Sequence, residues 1–317
     1  MKRIRYISIL FLIAASSYAQ QNSQYNQYIF NELVINPAYA GTKEIINANA
    51  IISKQWAGLD GSPTTQSIGI EGPFTNKVGL GIHVVNDKIG AQSQQSIFGS
   101  YSYKLQVNAK YKLALGLAVG ASNFSIDGTK LTTTTQDDPA VPKTLENKIL
   151  LDAKTGLFFY SDRFYAGFSV ADLLANVFKN QPYYVDQVRH YYLTSGYVFD
   201  VLPKLKFKPS FLFKHAYKSP SNIDLNAFFL YNQKFWLGCT YRFGSMFLVN
   251  ESLTNSLKKR DALVIMTEYN VNDKFRIGYA YTITTSVLKN YMSHELSLGY
   301  FIPGKTPIKK MNNIRYF

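Results

Sequence analysis

The chain has 317 residues and a formal net charge of +14, from 34 Lys and Arg against 20 Asp and Glu. Hydrophobic residues make up 46% of it, which excludes a disordered protein. Charged residues make up 17%, below the roughly 25% of an ordinary soluble domain. The single cysteine, Cys239, excludes a disulfide framework, a cysteine-rich zinc site and a CxxC redox motif. Few charges together with 24 Tyr and 22 Phe predict a β-rich protein that meets an unusual solvent.

Residues 1–19 have the pattern of a secretory signal peptide. The first residues are basic, residues 7–15 are apolar, and Ser17 and Ala19 stand at the positions that signal peptidase reads. The apolar run is too short to span roughly 30 Å of hydrocarbon, which disfavours a membrane anchor. We therefore expect cleavage after about Ala19 and export of the mature chain. If the exported chain enters a membrane it must be a β-barrel, because only helices and closed barrels satisfy every backbone group in lipid.

Residues 20–44 do not alternate in the manner of a strand. They predict either a short helix or irregular plug, or a periplasmic leader, and the sequence leaves both open. Asn36 precedes a proline and is therefore disfavoured in a helical conformation. Gly41 is a natural turn before the first strand.

From residue 45 to 302 the hydrophobic period is two almost everywhere. In residues 78–85, for example, Val78, Leu80 and Ile82 share one face, and small or polar residues occupy the other. This period predicts strands, and many segments have the roughly 9–11 residues that a tilted strand needs to cross a bilayer. About fourteen such segments follow one another: 45–54, 65–72, 77–87, 93–105, 108–124, 147–161, 163–171, 189–201, 203–216, 221–231, 233–243, 261–270, 273–283 and 291–302.

The connections alternate between short turns and longer links. The longer links are residues 54–64, 125–146, 172–188 and 244–260. Outer-membrane barrels have short periplasmic turns and long external loops, so this alternation predicts an all-β, antiparallel outer-membrane barrel with an even number of strands. Both termini, including a tail of residues 303–317, then fall in the periplasm. The alternative is a soluble β-sandwich or propeller, although no blade-length repeat occurs.

Tyrosines near the strand ends are typical of aromatic girdles at the two lipid interfaces. We expect this role for Tyr101, Tyr103, Tyr160, Tyr191, Tyr192, Tyr279 and Tyr281.

No pattern in the sequence points to catalysis, a cofactor or a metal. The four histidines have no helical zinc spacing, and the nucleophile and phosphate-binding motifs of hydrolases and nucleotide enzymes are missing. We therefore expect a protein that is not an enzyme, and a barrel lipase is disfavoured. The basic excess predicts a solvated lumen and contact with acidic outer-membrane lipid, or docking of an acidic protein. No nucleic-acid motif is present.

The N-terminal segment also carries a resemblance. Asn36-Pro37-Ala38-Tyr39-Ala40-Gly41, the following Trp56 and the C-terminal Arg315-Tyr316-Phe317 resemble the PorP/SprF family of type IX secretion system membrane proteins in Bacteroidetes. The resemblance implies an outer-membrane barrel of the secretion and gliding machinery with no catalytic residues. It also implies as partners a large secreted adhesin with a C-terminal sorting domain, or periplasmic components of the secretion motor.

The apolar residues of two long links are candidates for partner binding. These are Leu173, Leu174 and Phe178 in one link, and Met246, Phe247 and Leu248 in the other. Exposed apolar groups of this kind usually mark interaction sites. We expect that deletion of link 172–188 or 244–260 leaves the barrel folded but removes the secreted partner from the cell surface. The rival function is an outer-membrane channel or transporter for small or hydrophobic solutes, since a barrel of this size has room for a solute path.

Overall fold

A computed structural model of the chain describes residues 26–132, 141–177, 187–216, 221–245, 262–285 and 288–302. Fifteen strand segments join edge to edge in one antiparallel sheet, and pairing of the first with the last closes it into a barrel. The segments are β1 (Ile46–Lys54), β2 (Thr64–Pro73), β3 (Val78–Ile89), β4 (Gln92–Gln106), β5 (Lys112–Asp127), β6 (Leu145–Tyr160), β7 (Phe164–Ala171), β8 (His190–Tyr197), β9 (Phe199–Leu202), β10 (Leu205–Ala216), β11 (Ser221–Tyr231), β12 (Phe235–Ser245), β13 (Ala262–Asn270), β14 (Phe275–Thr284) and β15 (Ser293–Ile302).

The barrel has fourteen strands, because β8 and β9 are the two halves of one strand. Both halves pair with β10, and the interruption at Val198 lies opposite Lys208 and Pro209. Pro209 has no backbone N–H to donate, and proline in a sheet is usually found at an edge or an irregularity. The predicted all-β antiparallel barrel of about fourteen strands is confirmed.

The two faces of the wall differ as the period of two requires. Outward side chains are apolar or aromatic and exposed, such as Leu117, Val119 and Ile149. Inward side chains are mostly buried; many are small, polar or charged, and others, such as Phe228 and Trp236, are large and apolar.

The prediction of the aromatic girdle is wrong at two positions. Tyr160 is 1% exposed and packs inside the barrel, and Tyr192 lines two lumen cavities. Consecutive residues of a strand point to opposite faces, so Tyr191 and Tyr192 cannot both face lipid.

The two rims of the barrel differ in the length of their connections. One rim carries only short turns, at residues 74–77, 107–111, 161–163, 203–204, 232–234 and 271–274. The other carries all the long links, among them 128–144, 172–189 and 246–261. We call them the short-turn rim and the long-loop rim. In outer-membrane barrels the long loops are external.

Residues 26–45, which we call the plug segment, lie inside the barrel. The segment contains three short 3₁₀ helices, Gln27–Phe30, Glu32–Val34 and Pro37–Tyr39. Nearly every one of its side chains is buried, and its apolar residues form the centre of the hydrophobic core. Over the ranges that the structure describes, no helix is long and apolar enough to cross a membrane.

Candidate functional site

The motif Asn36–Gly41 packs against backbone, because glycines line the inner face of the wall beside it. A Cβ added at Gly116 would lie 2.1 Å from the backbone nitrogen of Ala38, and one at Gly79 would lie 2.0 Å from the carbonyl oxygen of Ala40. A Cβ at Gly156 would lie 2.1 Å from the side-chain oxygen of Asn36. This wall, formed by β3, β5 and β6, therefore leaves just enough space for the motif, and we call it the glycine wall.

Polar groups hold both ends of the motif. The side-chain oxygen of Asn36 accepts from the backbone N–H of Ala38 at 3.0 Å, which caps the short helix that begins at Pro37, and its amide donates to the carbonyl of Leu157 at 2.9 Å. Asn36 is extended, with φ −131° and ψ 112°, as expected for a residue before proline.

Gly41 completes the anchorage at the short-turn rim. Its φ of +70° favours glycine. Its N–H donates to the carboxylate of Glu71 at 2.7 Å, and its carbonyl accepts from Nζ of Lys104 at 3.0 Å. The hydroxyl of Ser102 donates to the carbonyl of Ala40 at 2.5 Å. The motif therefore pins the plug segment to the wall through backbone groups as well as side chains.

The opposite wall of the lumen holds the plug segment with large side chains. Phe30 packs edge-on against Phe228 and Trp236, with ring centroids 5.8 and 6.3 Å apart. Phe228 and Trp236 are 0% and 1% exposed. We call this part of β11 and β12 the aromatic wall.

Buried charges of both signs surround the plug segment. Glu32, Glu71, Glu268 and Glu295 are buried carboxylates, and Lys43, Lys104, Lys208 and Arg276 are buried cations. Arg276 lies 3.7 Å from Glu268 and donates to the side-chain oxygens of Asn47 and Asn49. Leaving Arg276 or Glu268 without its partner would be strongly destabilising.

The start of the plug segment, Asn26 and Gln27, lies in the half of the lumen that is farther from Gly41 and the short-turn rim. The backbone N–H groups of Asn26 and Gln27 donate to the carboxylate of Glu295 at 3.2 and 2.8 Å. The amide of Asn26 donates to the hydroxyl of Thr282 at 3.1 Å.

Two small cavities adjoin the plug segment. One of about 70 Å³ is lined by residues that include Ile35, His83 and Lys154. The other, of about 40 Å³, is lined by residues that include Tyr28 and Arg242. Spaces of this size hold only a few water molecules, since one water requires roughly 10–15 Å³ by the same measure.

The structure does not bring all the predicted site residues together. Trp56 lies at the long-loop rim, where its backbone N–H donates to the hydroxyl of Ser293 at 3.0 Å. Gly41 lies at the short-turn rim. Leu173 and Leu174 are half-buried in a turn beside β6, where the N–H of Leu173 donates to the carbonyl of Ala153 at 3.1 Å. The remaining candidates lie outside the described residues: Phe178, Met246, Phe247, Leu248, Arg315, Tyr316 and Phe317.

In the parts of the chain that the structure describes, no three His, Cys, Asp or Glu residues are grouped closely enough to hold a metal ion.

The signal that sequence reasoning missed is the position of the glycines. Gly79, Gly81, Gly116 and Gly156 occupy inward positions of β3, β5 and β6 and receive the plug segment. Glycine within a strand marks close packing, but only the paired strands show that these residues form one surface.

Comparison with solved structures shows outer-membrane barrels. The structure described as the CymD monoaromatic hydrocarbon channel is similar with a TM-score of 0.52 and 11% identity, covering 88% of this chain and 94% of that one. A Pseudomonas aeruginosa FadL homologue has a TM-score of 0.43 and 10% identity over 81% and 89% of the two chains. The P. putida toluene transporter TodX has a TM-score of 0.45 and 8% identity over 89% and 95%. At such identities the likeness to CymD shows the fold alone.

Comparison with curated proteins finds no match. The family model described as type IX secretion system membrane protein PorP/SprF matches residues 17–300. That match covers the plug segment and nearly the whole barrel, and it confirms the family to which the sequence was compared. The barrel fold and the family together place the protein in the outer membrane. The chain belongs to the PorP/SprF family of type IX secretion system membrane proteins.

Proposed function

We propose that this protein is a non-enzymatic outer-membrane component of type IX secretion and gliding that assists the export of a large adhesin-like protein and holds it at the cell surface. The secreted protein is recognised through its C-terminal sorting domain. The family supports the secretion role, and the plugged lumen is the observation that favours a scaffold over a pore. Residues 27–33 and 35–43 are all buried inside the barrel.

The plug segment weighs against the channel for small or hydrophobic solutes. A fourteen-stranded barrel has room for a solute path, but here that room contains polypeptide held to the wall by hydrogen bonds. A solute could pass only after the segment moved. We expect no steady conductance from the purified protein in planar bilayers; a large open pore in the unmodified protein would favour the channel.

The long-loop rim is the part of the barrel available to a secreted partner. Val177 is 68% exposed there, in the turn that follows β7. That turn is anchored, because His190 lies 2.7 Å from Asp172 and the N–H of Leu174 donates to the side chain of Asp152 at 3.1 Å. A partner would therefore meet apolar side chains on a fixed base, and removal of the link beyond residue 175 would leave the anchor intact.

Quantitative mass spectrometry of surface proteins on intact cells tests this proposal. In one variant residues 176–186 are replaced by a short Gly-Ser linker, and in another residues 247–260 are replaced in the same way. We expect either variant to deplete one large secreted protein from the surface while the barrel stays folded. A Gly-Ser replacement of the short turn 232–234 at the opposite rim is the matched control. Unchanged surface display in both link variants would contradict docking at these links.

Affinity purification from detergent-solubilised outer membranes separates the two kinds of partner. We expect recovery of one large secreted protein through its C-terminal domain. Recovery of periplasmic motor components would instead place the protein in the core machinery. Recovery of neither would favour the channel.

A further inference from the structure

The two ends of the plug segment lie at opposite rims of the barrel. Asn26 and Gln27 bind Glu295, which is two residues from the start of β15 at Ser293. Asn26 also binds Thr282, which is two residues from the end of β14 at Thr284. Both strand ends belong to the long-loop rim. The plug segment therefore begins close to that rim.

The other end of the segment lies at the short-turn rim. Gly41 binds Glu71 and Lys104, each two residues from where β2 and β4 end at Pro73 and Gln106. The chain thus crosses the lumen from the long-loop rim to the short-turn rim, and β1 then returns to the long-loop rim. In effect, the plug segment and β1 form one hairpin, with one arm in the lumen and the other in the wall.

A second passage back through the lumen would compete with the plug segment. Within the part of the chain that the structure describes, residues 27–33 and 35–43 are all buried in the lumen, and the two cavities that adjoin them, of about 70 and 40 Å³, hold only a few waters. If cleavage follows Ala19, residues 20–25 precede Asn26, and fully extended they reach about 20 Å at roughly 3.3–3.6 Å per residue.

We propose that the mature N-terminus emerges through the long-loop rim and is exposed at the cell surface, not in the periplasm. The proposal differs, for the N-terminus only, from the expectation from the alternation of links that both termini are periplasmic. It rests on the contacts of Asn26 and Gln27 and on the external position of long loops, and not on the proposed secretion role. A cell-surface protein can therefore reach the N-terminal end, whereas a periplasmic motor component cannot.

Cysteine labelling on intact cells tests the position of the N-terminus. In a Cys239→Ala background, which removes the natural thiol on the outward face of β12, Asn22→Cys is treated with a membrane-impermeant maleimide. Asp60→Cys in the link between β1 and β2 is the external reference, and Asp162→Cys in the turn between β6 and β7 is the periplasmic reference; both positions are exposed. Mass spectrometry of the labelled N-terminal peptide reports the cleavage site.

We expect Asn22→Cys to be labelled on intact cells to the same extent as Asp60→Cys, while Asp162→Cys is labelled only after the outer membrane is permeabilised. Labelling of Asn22→Cys only after permeabilisation would overturn the proposal. Labelling only after denaturation would overturn it too, because the N-terminus would then be shielded from both sides.

Discussion

The glycine wall and the aromatic wall hold the same plug segment by opposite means. On the glycine wall, backbone meets backbone, and the missing Cβ atoms create the space that Asn36–Gly41 fills. On the aromatic wall, Phe228 and Trp236 extend inward and fill the space around Phe30. Side chains can adopt other rotamers, but a backbone within a paired sheet cannot move without breaking its ladder. The glycine wall should therefore tolerate substitution less than the aromatic wall.

Gly116→Val should have the largest effect. Its Cβ would lie 2.1 Å from N and 2.4 Å from Cα of Ala38, both backbone atoms, and overpacking without relief costs about 3 kcal/mol or more. We expect the plug segment to leave its position and become cleavable by protease in the purified barrel. Gly99→Val on neighbouring β4 is the control, because a Cβ there meets nothing within 4 Å. Equal damage from both variants would refute the role of the glycine wall.

Phe228→Ala should have the second-largest effect. It removes the ring against which Phe30 packs, and loss of a buried aromatic ring costs about 3 kcal/mol where neighbours can relax. We expect a lower urea midpoint for the folded barrel and faster proteolysis of a plug segment that still occupies the lumen. Phe229→Ala on the outward face of the same strand should cost less and leave proteolysis of the plug unchanged. A complete loss of the plug in Phe228→Ala would erase the difference between the two walls.

Glu295→Gln tests how the start of the plug segment is held, since Asn26 and Gln27 bind side chains of β14 and β15, which belong to neither the glycine wall nor the aromatic wall. The backbone N–H groups of Asn26 and Gln27 donate to different oxygens of the Glu295 carboxylate. Glutamine preserves the shape but keeps only one of these oxygens, so one hydrogen bond is lost and the other is weakened, at a cost of about 2 kcal/mol for bonds to a charged group. We expect proteolysis to begin earlier near residue 26, while residues 36–41 stay protected. Asp162→Asn in an exposed turn is the control. Uniform loss of protection along the segment would show that the anchors act as a single unit.

Ser169→Ala should have the smallest effect, about 1 kcal/mol, because it removes one neutral hydrogen bond to the carbonyl of Ile35 at 2.9 Å. Ser195→Ala removes a bond of the same length to the carbonyl of Tyr165, within the wall. We expect the two variants to lose similar barrel stability. We expect faster hydrogen exchange of the plug segment in Ser169→Ala only, because only that variant removes a bond between the plug and the wall. The same exchange in both variants would argue that the plug and the wall open together.

Much of the barrel could be predicted because the signals are local. Alternation along β3 or β5 needs only a few consecutive residues, and the turn residues mark where each strand ends. The interruption at Val198 was not visible in the period of two, although Pro209 in the facing strand provides its physical cause. Tyr160 and Tyr192 lie near strand ends but on the inward face, and nearness to a strand end does not specify the face.

The candidate site was less accessible from the sequence. The Asn36–Gly41 motif was identifiable, but its partners Glu71, Ser102, Gly116 and Leu157 are 30 to 121 residues away. No periodicity specifies contacts over such separations. The choice between a periplasmic leader and a plug therefore could not be made from residues 20–44, whose composition suits either.

The sequence by itself determined the strands, their number, the two faces and the family, because each follows from local spacing or a contiguous motif. Tertiary structure decided the path of residues 26–45 through the lumen and the union of scattered glycines into one docking surface. It also decided which charges are paired. These features depend on the register of fourteen strands around a closed barrel, and that register brings together residues as distant as Asn26 and Glu295.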